Sequence, residues 1–245
     1  MKVVFFGATR GMGRALARLM AERGDALFLL GRDALDLARS AKDLELRGAA
    51  GSVGTAECDL LEPAGFEPAL ARAHEELGGF DTVVLTAGLF APQDALEADT
   101  ELCQSLLAAD FTNTVLFCEA ARKSLLARGG GRLCVFSSVA GERGRKPVIL
   151  YGAAKAGLSH YLEGLDHKFR ARGLVTVTVK PGFVRTGMTE GLTPPPFAGE
   201  PEAVARQVLR ALDRGRPVVY APPIWSLVML AIRSLPRFAM RRIGF

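Results

Sequence analysis

Five short apolar runs recur along the chain: Val3 to Gly7, Ala26 to Leu30, Thr82 to Leu85, Leu133 to Phe136 and Val175 to Val179. Runs of strand length with almost no polar interruption predict strands buried on both faces. The intervals between them are long enough for helical crossovers, so the pattern predicts a parallel sheet with helices on each side. Right-handed crossovers make this a doubly wound, Rossmann-type α/β fold of about seven strands. A third strand is expected just before Asp59, and Pro217 to Tyr220 adds another at the far edge. Two long helices are expected over about residues 100–128 and 151–171. No internal repeat or long linker interrupts residues 1–245, so one domain is expected. Within it, residues 187–199, containing Pro194-Pro195-Pro196, read as an irregular loop or short-helix lid.

Composition adds little until charge is located. With 245 residues, 49% apolar and 23% charged, the chain has enough material for one soluble domain with a sizeable core. Its net charge of +5 belongs to the tail, because six arginines and no acid follow from Arg214 onward. No basic stripe with a matching motif occurs, which sets nucleic-acid binding aside. Residues 218–232 carry no charge, yet Pro222-Pro223 interrupt them and they fall short of the ~20 residues a membrane span needs. The tail from 222 to 245 sets Leu235, Phe238, Met240, Ile243 and Phe245 among Arg233, Arg237, Arg241 and Arg242. Such a segment could lie peripherally at an anionic membrane surface, or pack beside a substrate cleft or a second subunit. Cys58, Cys103, Cys118 and Cys134 lack disulfide or metal-ligand spacing and read as reduced thiols, with no metal site. The first residues already form the first strand, so a cytoplasmic protein without a signal peptide is expected.

The chemistry is concentrated at the ends of the apolar runs. Gly7-Ala-Thr-Arg-Gly11-Met-Gly13 follows the first run directly. Glycines there permit a tight strand-to-helix turn and close approach of a diphosphate to the amides of a helix N-terminus. Tyr151 and Lys155 stand four residues apart and so share a helix face, where the ammonium favours the phenolate. A phenol titrating near pH ~10 becomes a usable acid or base only with such help. Ser138, thirteen residues earlier, ends an apolar strand and can hold a substrate oxygen, while strand alternation turns Ser137 the other way. The second strand ends in Leu30-Gly31-Arg32, with no acid to bind an adenosine ribose hydroxyl. Arg32, and Arg10 inside the glycine loop, offer guanidinium groups suited to a phosphate.

Read in order, the glycine loop, Asp59, Thr86-Ala87-Gly88, Ser138, Tyr151, Lys155 and Pro181-Gly182 make the chain similar to the classical short-chain dehydrogenases/reductases over nearly its whole length. The resemblance implies hydride transfer between a nicotinamide nucleotide and a ketone or secondary alcohol. Tyr151 would exchange the proton, Ser138 polarise the carbonyl, and Lys155 lower the tyrosine pKa and bind the nicotinamide ribose. It implies cofactor contacts at Gly7, Thr9, Arg10, Gly11, Met12 and Gly13, at Asp59 and Leu60 beside the adenine, and at Ala87 and Gly88. Pro181, Gly182, Val184 and Thr186 would border the nicotinamide, and Arg10 and Arg32 point to NADP(H) over NAD(H). Thr86 stands where the family usually has asparagine. The family's fourth catalytic position, an asparagine of a proton relay, falls on Thr112, with Asn113 as the alternative. Homodimers or homotetramers are implied through the two long helices.

The segments from Ser137, Tyr151 and Pro181, with Leu235-Pro236-Arg237, also resemble the decaprenylphosphoryl 2-keto-pentose reductase subgroup. That likeness implies a bulky or lipophilic ketone such as a lipid-linked keto sugar, handled near the inner membrane face. A reductase of 3-oxoacyl, 3-keto-sphingoid or steroid-like ketones would carry the same machinery. A cofactor-binding structural or redox-sensing protein without turnover is the rival from another class.

Overall fold

Along β1 (Lys2–Phe6), Val3 and Phe5 join one hydrophobic core while Val4 and Phe6 join another. β2 (Ala26–Gly31) divides in the same way, Leu27 and Leu29 to the first core and Phe28 and Leu30 to the second. An uninterrupted apolar strand is thus one that serves two cores, with side chains alternating between them. The computed structural model describes residues 1–243. Its other strands are β3 (Gly54–Glu57), β4 (Thr82–Leu85), β5 (Gly131–Phe136), β6 (Leu174–Pro181) and β7 (Val218–Ala221). All pair in parallel, in the order β3-β2-β1-β4-β5-β6-β7. The expected seven-stranded, doubly wound sheet is what the chain forms.

The helices are α1 (Gly11–Glu22), α2 (Ala34–Leu46), α3 (Phe66–Leu77), α4 (Gln93–Ala98), α5 (Thr100–Leu107), α6 (Thr114–Ala127), α7 (Ile149–Phe169), α8 (Pro201–Asp213), α9 (Ile224–Ser234) and α10 (Arg237–Arg242). Leu16 and Met20 of α1, Leu37 and Leu44 of α2 and Val204 and Val208 of α8 cover one face of the sheet. Phe66 of α3, Phe117 of α6 and Leu158 and Leu162 of α7 cover the other. The strand order reverses between β1 and β4. Ligands of such sheets bind in the crevice beyond the strand ends at that reversal.

One helix carries a feature the sequence reading lacks. The helix expected over 100–128 runs from Thr100 to Ala127 but is not α throughout: α5 passes through a π-helical turn, Ala108–Asn113, into α6. Thr114 shows the cause, its hydroxyl donating to the Ala109 carbonyl five residues back at 2.7 Å and widening the ladder there. The tail takes the packed one of the placements expected for it. Trp225, Met229 and Ile232 of α9 form a small core with Val139, against which Phe183 and Tyr220 also pack. Beyond α9, Arg143 donates to the Leu235 carbonyl at 2.8 Å and Lys146 to that of Arg241 at 2.7 Å. α9 is apolar on its outer face too, leaving Ile224, Leu227 and Leu230 exposed. Among the described residues no helix is long and apolar enough to cross a membrane, and Phe245 lies outside them.

Candidate active site

Between β1 and α1 the chain turns so tightly that Gly7 and Gly13 have no room for a side chain. A Cβ on Gly13 would stand 2.1 Å from the Gly7 carbonyl oxygen and 2.5 Å from Thr86 Oγ1, and one on Gly7 would stand 2.6 Å from the Ala87 nitrogen. Gly7 and Gly11 also adopt φ of 99° and 52°, the left-handed region that glycine enters without strain. α1 begins at Gly11 after Arg10, whose side chain makes no capping bond, so the leading amides of the helix are available to an anion. Gly11 itself lies against Thr186, whose methyl would be 3.4 Å from an added Cβ. The glycine turn and the segment after β6 therefore meet as two sides of the crevice beyond the strand ends. Thr9, Gly11 and Met12 line its partly exposed rim. These features fit a dinucleotide diphosphate.

Thr86 acquires a definite role here. Its hydroxyl donates to the Gly7 carbonyl at 2.8 Å, tying the end of β4 to the glycine turn. Asp59 holds its own loop by accepting from the Leu61 amide at 2.9 Å, and Asn113 of the π turn donates to the Leu60 carbonyl at 2.9 Å from a buried position. Asn113 is thereby committed to the loop carrying Asp59. Of the two arginines, Arg10 pairs with Asp36 at 2.7 Å, whereas Arg32 is exposed and makes no ion pair among the described residues. On the β6 side, Trp225 lies over Gly182, where any side chain would collide with the indole, and donates to the Phe197 carbonyl at 3.3 Å. Val184 is buried and bridges to Gly199, so the segment 187–199 is tethered at both ends while most of it is exposed. Phe183, Thr186, Leu192 and Pro194 line a hollow of about 480 Å³ there. Pro181, by contrast, is buried at the end of β6.

Beyond β5 the two serines diverge as alternation requires. Ser137 is buried and bonds the Lys155 carbonyl at 3.0 Å and Ser159 Oγ at 2.7 Å, anchoring α7. Ser138 turns toward the cleft, accepting from the Ala140 amide at 3.0 Å. Tyr151 and Lys155 share one face of α7, with the ammonium 5.6 Å from the ring centroid. Phe90 meets the Tyr151 ring edge-on at 5.2 Å. Lys155 is buried, 3.4 Å from the Phe136 carbonyl and 3.5 Å from Asp110 Oδ2.

Asp110 corrects the sequence reading. The motif register put Thr112 at the proton-relay position with Asn113 as alternative, but Thr112 is exposed and Asn113 holds Leu60. The π turn instead brings Asp110 inward, fully buried, where its Oδ1 accepts from the Leu89 amide at 2.8 Å. A register two residues off was enough to miss it, although an acid inside an otherwise apolar helix face was a signal. Burial pushes the Asp110 carboxyl up, against the pull of Lys155 and the Leu89 amide. Burial also pushes the Tyr151 phenol up; Lys155 pulls it down, Asp110 adds to the rise, and Ser138 works with the lysine. For Lys155, burial favours the neutral amine, but Asp110 and Tyr151 outweigh it and hold the amine charged.

The family model for short chain dehydrogenase matches residues 1–196. An uncharacterized oxidoreductase of Mycobacterium tuberculosis is 37% identical over 243 residues, spanning 98% of this chain and 96% of that one. A 3-oxoacyl-[acyl-carrier-protein] reductase of Bos taurus is 30% identical over 192 residues, covering 76% and 77% of the two chains. A solved short-chain type dehydrogenase/reductase from Mycobacterium marinum superimposes with a TM-score of 0.81 at 23% identity, over 89% of this chain and 92% of that one.

Proposed function

Because the chain belongs to the short-chain dehydrogenase family, whose members are oxidoreductases that bind NAD(P)(H), we propose that it is an NADP(H)-dependent reductase converting a bulky or lipophilic ketone to a secondary alcohol. The observation that carries this reading is the convergence of Ser138, Tyr151 and a buried, charged Lys155 beside a glycine turn that a side chain would fill. Gly7, Gly11, Gly13 and the α1 amides would hold the diphosphate. Thr9 and Met12 lie along the rim, Asp59 and Leu60 serve the adenine side, and Ala87 and Gly88 serve its ribose. Pro181, Gly182, Val184 and Thr186 form the nicotinamide wall. The nucleotide, when bound, supplies the hydride that adds to the carbonyl carbon. Ser138 donates a hydrogen bond to the carbonyl oxygen, and Tyr151 gives that oxygen its proton. The phenolate left behind is stabilised by Lys155.

The exposed Arg32 supports a preference for the 2′-phosphate of NADP(H), since a free guanidinium there can take a phosphate that an acid would repel. α9, which Trp225 ties to the 187–199 lid, is apolar on its outward face as well, and an apolar helix beside the lid supports a lipophilic substrate. With Arg237, Arg241 and Arg242 it also suits peripheral contact of a cytoplasmic enzyme with an anionic membrane, where a lipid-linked keto sugar would be met. The bovine relative's name favours a second reading, a 3-oxoacyl thioester as substrate. Exposed Phe111, Leu116 and Ile149 on the α6–α7 side support a homo-oligomer, as is common in the family. Titration with NADPH and NADH by nucleotide fluorescence tests the cofactor. NADPH should bind more tightly, and Arg32→Ala should weaken NADPH by roughly 10-fold or more while sparing NADH. Equal affinities, or an unaffected variant, would remove the NADP assignment.

A further inference from the structure

Among the described residues, Asp110 is the one acidic side chain within ion-pairing distance of Lys155, and both are buried. We infer that Asp110 is a positioning residue that acts through Lys155, drawing part of its charge away from Tyr151 so that the tyrosine stands as a phenol and the site is biased toward giving a proton. The inference rests on the reading of Tyr151 as proton donor. A bare ammonium beside a phenol in a low-dielectric site strongly favours phenolate, whereas an ammonium paired with a carboxylate exerts a weaker field. The carboxylate also opposes a second negative charge nearby. A phenolate can only accept a proton. A phenol can break its O–H bond, pass the proton to the substrate oxygen as hydride reaches the carbon, and then take a replacement from water.

The arrangement is built for this carboxylate. The Leu89 amide fixes Oδ1 at 2.8 Å, and Oδ2, facing Lys155 at 3.5 Å, has no hydrogen-bond partner among the described residues. Gly88 leaves the room: a Cβ there would stand 2.8 Å from Oδ1. Among the described residues, Lys155 and Asp110 are the charges that act on Tyr151. α4 and α5 present Leu96 and Leu106, with Gln93 accepting from the Leu150 amide. The end of β5 offers the Phe136 carbonyl and Ser138, the loop after β4 offers Phe90, and Glu142 is committed to Lys180 and Arg233. The upward shift of Tyr151, with burial as its main cause and Asp110 contributing, agrees with this geometry.

Asp110→Asn keeps the acceptor for Leu89 and removes the charge. The phenolate absorbance of the nucleotide-free protein, measured against pH with Tyr151→Phe as the reference, reads the Tyr151 midpoint directly. The wild type should titrate at or above the ordinary tyrosine value of about 10. Asp110→Asn should bring the midpoint down by about one pH unit or more, and the alkaline limb of kcat/KM for reduction should move with it. A midpoint that stays or rises in the variant overturns the inference. So does a wild-type phenolate forming near neutrality, a result that stands even should Asp110→Asn fail to fold. Persistent reductase turnover in Tyr151→Phe would instead sink the proton-donor reading and leave the titration intact, so the two failures are distinguishable.

Discussion

A single carbon decides whether the glycine turn exists. At Gly13 a methyl group would have to occupy space 2.1 Å from a backbone oxygen, and that oxygen belongs to Gly7, which is itself fixed by Thr86. Gly13→Ala should therefore cost about 1–3 kcal/mol of stability, as overpacking does, and should abolish measurable nucleotide binding. Thermal melting with and without NADPH reads both; a variant as stable as the wild type and equally stabilised by NADPH would contradict the account. Placements that follow from local geometry were legible in the sequence: the glycine turn, the divergence of Ser138 from Ser137, and Tyr151 with Lys155 on one helix face. Thr86 and Asp110 were not. Thr86 takes its meaning from a turn some eighty residues away, and Asp110 from a π turn that shifts every side chain after it relative to an ideal helix.

At the level of elements, strands were the most legible, because burial on both faces removes polar residues from them. Thr82 to Leu85 and Ala26 to Leu30 coincide with β4 and nearly with β2. β3 was the faintest, since Gly54-Thr-Ala-Glu57 lies at the sheet edge and needs less apolar cover. Helix contacts depend on polar pairs that no periodicity announces. Glu119 of α6 accepts from Tyr161 of α7 at 2.7 Å and from Arg122 at 3.1 Å. The Arg122 bond holds the Glu119 carboxyl below its ordinary range against the cost of burial, with Tyr161 helping. A carboxyl depressed on folding contributes stability above its unfolded value of about 4.3 and loses it as the pH falls through the lower folded value. Glu119→Gln should lower Tm at neutral pH by about 2–4 °C or less, because the side chain is a third exposed. The gap to wild type should close as the pH drops below about 4. A gap of constant size across that range would show that the charge is irrelevant to the contact.

For the whole molecule, the reversal of strand order between β1 and β4 gathers residues from four strand ends at one crevice. Gly7, Thr86, Ser138 and Pro181 come together although they span most of the sequence. The order of motifs along the chain was enough to anticipate that gathering. The tail was less legible, because a segment apolar on all sides describes both a packed helix and an exposed surface, and α9 is both. The proposed activity of this crevice is ketone reduction with Tyr151 as the acid. Its most direct test is NADPH consumption by wild type and Tyr151→Phe across a panel of lipophilic and 3-oxoacyl ketones, with nucleotide binding measured in parallel. Ketone-dependent turnover is expected in the wild type, with a loss of about 100-fold or more in the variant, which still binds NADPH. Turnover that survives the substitution, or a wild type that binds nucleotide yet reduces none of the panel, would contradict it.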